Sequence, residues 1–293
     1  NEEHIGFALA PRLNALGRLS DANPAVELLT TLDTARAEVL AQELEALNAQ
    51  RQLLTRQVLD SAVRQLERDP ALLEPPVLIL AHEAWPAGVI GIVASQLVER
   101  YNRPVILLAA PAGQPARGSA RSVEGIDITA CIREQAALLT GFGGHPMAAG
   151  LSLPAENLPA LRKGLARSVQ AAAARAGQEE RLGGKELAVD AWLALDQATL
   201  ELAEDLARLG PFGAGNPPLV FAARGLRVAA STPIGRGKEH LSLILEDPQG
   251  RQQRALWWNG AAWPQPEGPL DLAYSLRASN YREFINPTGR FVI

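Results

Sequence analysis

Cysteine, methionine and lysine are nearly missing from this chain, and each scarcity removes a class of explanation. The 293 residues contain one cysteine, Cys131, which rules out an intrachain disulfide and predicts a reducing, cytoplasmic setting. The one methionine is Met147 and the chain opens on Asn1, so the sequence is expected to begin inside a longer polypeptide. No apolar run reaches the roughly 20 residues that a membrane-crossing helix needs, and no charged-then-apolar leader opens the chain, so no membrane partner is expected. Among 28 basic residues only Lys163, Lys185 and Lys238 are lysines, which leaves 25 arginines, the side chain whose planar fork matches phosphate best.

The net charge of −4 argues against a uniformly basic nucleic-acid coat. Charge is instead concentrated. Arg103, Arg117 and Arg121 lie in a stretch from Arg103 to Val123 that has no acid, and Arg224, Arg227, Arg236 and Lys238 lie between Arg224 and His240 against Glu239 alone. Two basic patches on an acidic chain point to directed anion sites.

The length exceeds that of one ordinary compact core, so two domains are expected. From Asp33 to Arg68 there is neither glycine nor proline, and Asp33 as N-cap and Pro70 as stop frame one helix of about 36 residues. Its leucine seam, Leu40, Leu44, Leu47, Leu54 and Val58, is interrupted by Arg51, which favours a bridging helix over a coiled coil. Residues 77–153 alternate strand and helix signals: strands at Val77–Ala81, Pro104–Ala110, Ala116–Ser122 and Ala148–Leu153, helices at Gly88–Tyr101 and Asp127–Leu139. A helix at Leu158–Ala174 completes an α/β sheet domain. After a linker near residue 180, β-prone runs dominate, with one helix at Thr199–Leu209, and about five short strands suggest an oligonucleotide-binding (OB) barrel. The expected architecture is thus a tail at 1–32, a connecting helix at 33–69, an α/β domain at 70–177 and an all-β OB-like barrel at 186–293.

The densest chemical signal is Gly141 to Gly150, where one imidazole, His145, is framed by glycine and alanine. Gly141, Gly143 and Gly144 could turn successive N–H groups toward one point as an anion nest, with His145 donating to a phosphate or moving a proton. The alternative is a glycine-rich turn before a strand, capped by a histidine.

Several segments in order resemble the RecJ family of single-strand-specific 5′→3′ exonucleases, within the DHH phosphoesterase superfamily, in its C-terminal half. They are Ala10 to Leu19, Trp85 to Ala94, Gly118-Ser119-Ala120-Arg121-Ser122, Gly143 to Gly150, and Leu209 to Pro217. The middle three are similar to the DHH-associated substrate-binding domain, and the last to the start of the family's barrel. Pro86 stands where the family usually has a histidine. The Asp-His-His signature is absent, since His4, His82, His145 and His240 are the four histidines and none adjoins another.

The resemblance implies a metal-dependent single-stranded-DNA exonuclease of repair and recombination. Its Mn²⁺ or Mg²⁺ would be held by a preceding N-terminal DHH domain, so that this segment alone would be inactive. It implies His145 at the scissile phosphate, Gly143 and Gly144 shaping the loop, and Ser119, Arg121 and Ser122 on a neighbouring or terminal 5′-phosphate. Asn14, Arg18, Arg117, Arg236 and Lys238 are further DNA-contact candidates, and no metal ligand is assigned. Implied partners are single-stranded DNA, the N-terminal domain, and a single-strand-binding protein or helicase. Plainer readings remain for several residues: a solvated arginine on an ordinary strand for Ser119 to Ser122, and a structural polar cluster for Arg12, Asn14 and Arg18. Trp257, Trp258, Trp263, Tyr274, Tyr281 and Phe284 are candidate stacking platforms, at least half of them expected in the core. Two other functions compete: a non-catalytic single-strand-binding scaffold, and a phosphodiesterase for short oligonucleotides or cyclic dinucleotides, against which the barrel speaks.

Overall fold

The structure, a computed structural model, describes residues 4–177, 182–183, 187–213, 215–235, 237–278 and 290–292. They divide into two units, Asn1–Glu186 and Leu187–Ile293.

The first unit begins with helices α1 (Ala10–Leu19) and α2 (Asn23–Thr30), followed by the long α3 (Thr34–Arg68). Asp33 caps α3 by accepting from the backbone N–H groups of Ala35 and Arg36, and the helix stops before Pro70. Its buried apolar residues pack inside the unit. Leu40 and Leu44 are buried in the half that packs on α1, and Val58, Ala62 and Leu66 join a core with the next helix.

The sheet comprises β1 (Leu78–His82), β2 (Val105–Ala109), β3 (Ala116–Arg121), β4 (Gly141–His145) and β5 (Ala148–Leu153), in the spatial order β1-β2-β3-β5-β4. Helix α4 (Ala87–Tyr101) connects the parallel pair β1 and β2, whose continuous apolar runs are what a strand covered on both faces requires. The remaining pairings are antiparallel. Helices α5 (Ile128–Arg133) and α6 (Leu158–Arg175) cover one face with Ile128, Cys131, Ile132, Leu161, Leu165 and Val169.

Two expectations need correction here. The helix foreseen over Asp127–Leu139 ends at Arg133 and resumes only as a short 3-10 turn, Ala136–Leu138. Tertiary hydrogen bonds accompany the break: Gln135 donates to the Ser168 hydroxyl, which in turn donates to Glu134, and Asn157 donates to the Leu138 carbonyl. The glycine run is not a loop but the edge strand β4, so its successive N–H groups point alternately toward β5 and away from it. A converging nest cannot form in that geometry.

The second unit holds β6 (Ala191–Trp192), α7 (Leu200–Ala207), β7 (Phe221–Ile234), β8 (His240–Glu246), β9 (Gln252–Trp257), β10 (Leu270–Arg277) and β11 (Arg290–Val292). Strand β7 changes partner along its length: its first half pairs with β10 and its second with β8, which curls the sheet into an OB-like barrel around Leu226, Leu241, Leu243, Leu245 and Ala255. Tyr274 is buried and donates its hydroxyl to the Leu193 carbonyl at 2.7 Å, and Trp257 packs on the same core. Trp258 and Trp263 are exposed, and Tyr281 and Phe284 lie outside the described residues.

Candidate functional site

Strand alternation decides what the site contains. The register places Arg121 opposite Ala148 and Ala148 opposite His145; Ser119 opposite Gly150 and Gly150 opposite Gly143; Arg117 opposite Ser152 and Ser152 opposite Gly141. Residues opposite one another share a face, so Arg117, Ser119, Arg121, Ser152 and His145 project to one side with three glycines among them. On β1 and β2 the same side carries Leu78, Leu80, Val105, Leu107 and Ala109, buried with residues of α3 and α4. Farther across the sheet Gly143, Gly150 and His145 are exposed. The result is a half-face with a nearly flat floor.

The glycines of that floor are not required by packing. A Cβ built on Gly141 or Gly143 would meet nothing within 4 Å, and one on Gly150 would meet only the Gly118 carbonyl oxygen at 4.0 Å. Gly144 differs: its φ is +154°, and a Cβ there would run into the Ala148 carbonyl oxygen and the Ala149 backbone. Gly144 therefore serves the β4–β5 hairpin, whereas Gly143 keeps space open above the sheet.

Three hydrogen bonds hold the hairpin tip, two from the start of α5 and one from the residue that follows β3. Thr129 donates its hydroxyl to the His145 carbonyl at 2.7 Å, the Ile128 N–H donates to Pro146 at 2.9 Å, and the Ser122 N–H donates to Met147 at 3.0 Å. Asp127, the N-cap of α5, holds that helix start through the Ala130 N–H. The His145 backbone is thus fixed while its ring stays exposed, the arrangement a proton-moving side chain needs.

Ser119 and Arg121 meet directly, the guanidinium donating to the Ser119 hydroxyl at 3.0 Å and to the Ala120 carbonyl at 2.7 Å. They lie under Gly91 of α4, where a Cβ would sit 2.8 Å from Ser119 Oγ and 2.9 Å from Arg121 Nη2. Ser122 does not join them. It follows the last strand residue, is buried, and donates its hydroxyl to the Ile126 carbonyl at 2.7 Å, leaving no free donor for a phosphate.

The Arg18 guanidinium acts on both Arg121 and Arg51. Burial first, and then the charge of Arg18, hold both Arg121 and Arg51 below the ordinary arginine pKa. Asn48, buried in α3, accepts from Arg51 Nε at 3.3 Å and Nη2 at 2.9 Å and so fixes its fork. Arg18 leans over the start of α4, where a Cβ on Gly88 would collide with the Arg18 carbonyl oxygen. Among the described residues, none of Arg18, Arg51 and Arg121 forms an ion pair with a carboxylate. The charge of Arg18 on α1 thus opposes those of Arg51 on α3 and Arg121 on β3.

The other sequence candidates are dispersed. Asn14 and Arg18 are exposed and four residues apart, hence on one side of α1, and Arg12 is paired with Glu45. Arg117 is exposed at the far end of β3. Lys238 lies in the turn between β7 and β8 with φ of +56°, and Arg236 lies outside the described residues. Sequence reasoning missed Arg51 as a site residue, along with Asn48, Gly88 and Gly91. The charged interruption of the leucine seam was the available signal for Arg51. Among the described residues, no group of three or more His, Cys, Asp or Glu side chains is placed to hold a metal ion. Among the described residues, no helix is long and apolar enough to cross a membrane.

Comparison with known proteins finds a match in each of the two units. Residues 74–171 match the model of the DHHA1 domain and residues 189–288 that of the RecJ OB domain. The chain is 37% identical over 248 residues to the single-stranded-DNA-specific exonuclease RecJ of Bacillus subtilis, covering 84% of this chain and 31% of that protein. It is 33% identical over 289 residues to RecJ of Escherichia coli, covering 95% of this chain and 48% of that protein. Crystal structures of RecJ from Thermus thermophilus superpose with TM-scores of 0.74 in complex with Mn²⁺ (30% identity) and 0.73 with Mg²⁺ (28% identity). They cover 99% and 98% of this chain and 40% and 42% of those chains. The chain spans between 31% and 49% of the length of the curated relatives it matches.

Proposed function

This chain belongs to the RecJ family, as its C-terminal part, and on that premise we propose that it forms the phosphate-binding and strand-binding half of a metal-dependent 5′→3′ single-stranded-DNA exonuclease acting in repair and recombination. The observation that carries the reading is the uncompensated trio Arg18, Arg51 and Arg121 beside the open glycine floor and the exposed His145. Ser119 and Arg121 hold the terminal 5′-phosphate, with Arg18 and Arg51 supplying the remaining positive charge. Gly143 and Gly150 let the sugar–phosphate backbone lie against the sheet. His145 then donates to an oxygen of the scissile phosphate or moves a proton there, a task for which an imidazole is suited near neutral pH.

Divalent ions in such a reaction activate water and stabilise charge on the phosphoryl group. The described residues offer no ligand set for them, so in this reading Mn²⁺ or Mg²⁺ is held by a DHH domain outside this chain. In the second unit, Trp258 and Trp263 expose rings for base stacking and Lys238 adds charge in the β7–β8 turn.

Titration of 5′-phosphorylated and 5′-hydroxyl single strands against this chain tests the reading. Tighter binding of the phosphorylated strand, lost in Arg121→Ala, is expected, together with no hydrolysis by the chain alone in Mn²⁺. Equal affinity for the two strands, or hydrolysis at a full enzyme's rate, would refute it.

A further inference from the structure

Beyond the arginine trio the bare half-face continues to Arg117, which borders a cleft of about 420 Å³ at the carboxyl ends of β1 and β2. Glu83, Trp85 and Ala87 line it from the β1–α4 connection, and Pro111 and Gln114 from the β2–β3 turn. The walls are well supported. The Trp85 indole N–H donates to the Ser61 hydroxyl at 3.1 Å, its ring stacks with His82 at 5.6 Å between centroids, and the Gln114 N–H closes the turn onto Pro111 at 3.2 Å.

The chemistry of this lining suits a nucleobase better than a phosphate. The Glu83 carboxylate repels a phosphate but accepts from a ring N–H or an exocyclic amine, and the Gln114 amide offers both donor and acceptor. Alanine and proline surfaces pack a flat ring, and the volume lies in the range of small-molecule sites, about 300–1,000 Å³. Arg117 stands four residues from Arg121 on β3, about 13 Å at the rise of a strand. That distance is roughly four nucleotides of a stacked strand and fewer of an extended one.

Resting on the reading of Ser119 and Arg121 as the terminal-phosphate site, we propose that this cleft is a base subsite. It takes one base within the first four nucleotides of the single strand, while Arg117 neutralises the adjoining phosphate. The subsite adds a positional check on the strand: a base must be present at one fixed distance from its phosphorylated end.

A set of 5′-phosphorylated oligonucleotides, each with one abasic site at positions one to eight, measured against this chain by fluorescence anisotropy, tests the subsite. A loss of about tenfold at a single position among the first four is expected, with small losses elsewhere. Ala87→Trp, which fills the cleft, should erase that positional loss while the preference for a 5′-phosphate persists. Gln114→Ala, on an exposed turn where folding is not at stake, should reduce it. A penalty that is uniform along the strand, or one unchanged in both variants, would overturn the subsite and leave the terminal-phosphate reading standing. Absence of any preference for the 5′-phosphate would instead sink that reading, and the register of the cleft with it.

Discussion

One face of the five-stranded sheet is sealed by α5 and α6 with apolar side chains from β1, β2, β3 and β5, whereas the other is sealed over β1 and β2, partly covered by α4 over β3, and left bare over β5 and β4. Strand β3 contributes to both. Ala116 and Ala120 are fully buried on the first face, while Arg117, Ser119 and Arg121 alternate with them on the second. Packing accounts for the residues on the sealed side. It accounts for little on the bare half, where glycines have no neighbour to avoid and arginines have no acid to meet. The contrast teaches that residue types which the fold does not need mark where the chain meets something else.

The largest expected effect breaks the bare half at its reacting group. His145→Ala, introduced into an exonuclease that contains this segment, should lower turnover by about 10²–10⁴-fold. Affinity for single-stranded DNA should stay within about threefold, because one exposed ring adds little to a binding surface spread over many phosphates. Parallel losses in single-turnover rate and in affinity would mean that the imidazole only positions the strand. Next in size, Arg121→Ala should weaken binding of a 5′-phosphorylated strand by about 30-fold, the worth of roughly 2 kcal/mol for a charge-assisted hydrogen bond. A 5′-hydroxyl strand should be almost unaffected, and a matched loss for both would remove the terminal-phosphate assignment.

Adjacent glycines sharpen the comparison within one strand. Gly144→Ala drives a Cβ into the Ala148 carbonyl and should destabilise the chain by about 1–3 kcal/mol, seen as a lower Tm. Gly143→Ala has room for its methyl group, so Tm should hold while affinity for DNA falls. If both variants behave alike in the melt, the floor is structural and the bare half loses its claim to a ligand.

Much of this was legible in the sequence, and the failures have physical causes. The strand alternation of Ser119 and Arg121, the N-cap at Asp33 and the apolar runs of β1 and β2 are local signals, and they survive folding. The conformation of Gly141–His145 was not legible. Glycine has no strand propensity, and what extends this run is pairing with β5, whose partners lie several residues on. Ser122 was misread because it was grouped with Ser119 and Arg121 by proximity in sequence, although a period of two sets it off their face, and its hydroxyl turns to the Ile126 carbonyl. Arg51 and Arg121 meet the charge of Arg18 across sequence separations of 33 and 103 residues, so that coupling exists only in the fold. Even so, a guanidinium interrupting a leucine seam was a hint that α3 does more than bridge.

The smallest effect tests whether the sealed face is silent. Cys131, carried by α5, is 2% exposed in the core that α5 and α6 form with the sheet, and burial, followed by the nearby carboxylates Glu134 and Asp127, pushes its thiol up to about 11. A thiol that ionises less readily in the folded than in the unfolded chain stabilises the fold fully below the unfolded value, near pH 9. That contribution is lost as pH rises from about 9 through 11, because the unfolded chain releases the proton first. Cys131→Ala removes the titrating group and leaves a small cavity, so below pH 9 it should lower Tm by a few degrees. Between pH 9 and 11 the gap to the unsubstituted chain should narrow, while affinity for single-stranded DNA at about pH 8 remains unchanged. A gap that stays constant across that range would show that water reaches the thiol. A change in DNA affinity would show that the sealed face communicates with the bare one, and the division of labour between the two faces would then fail.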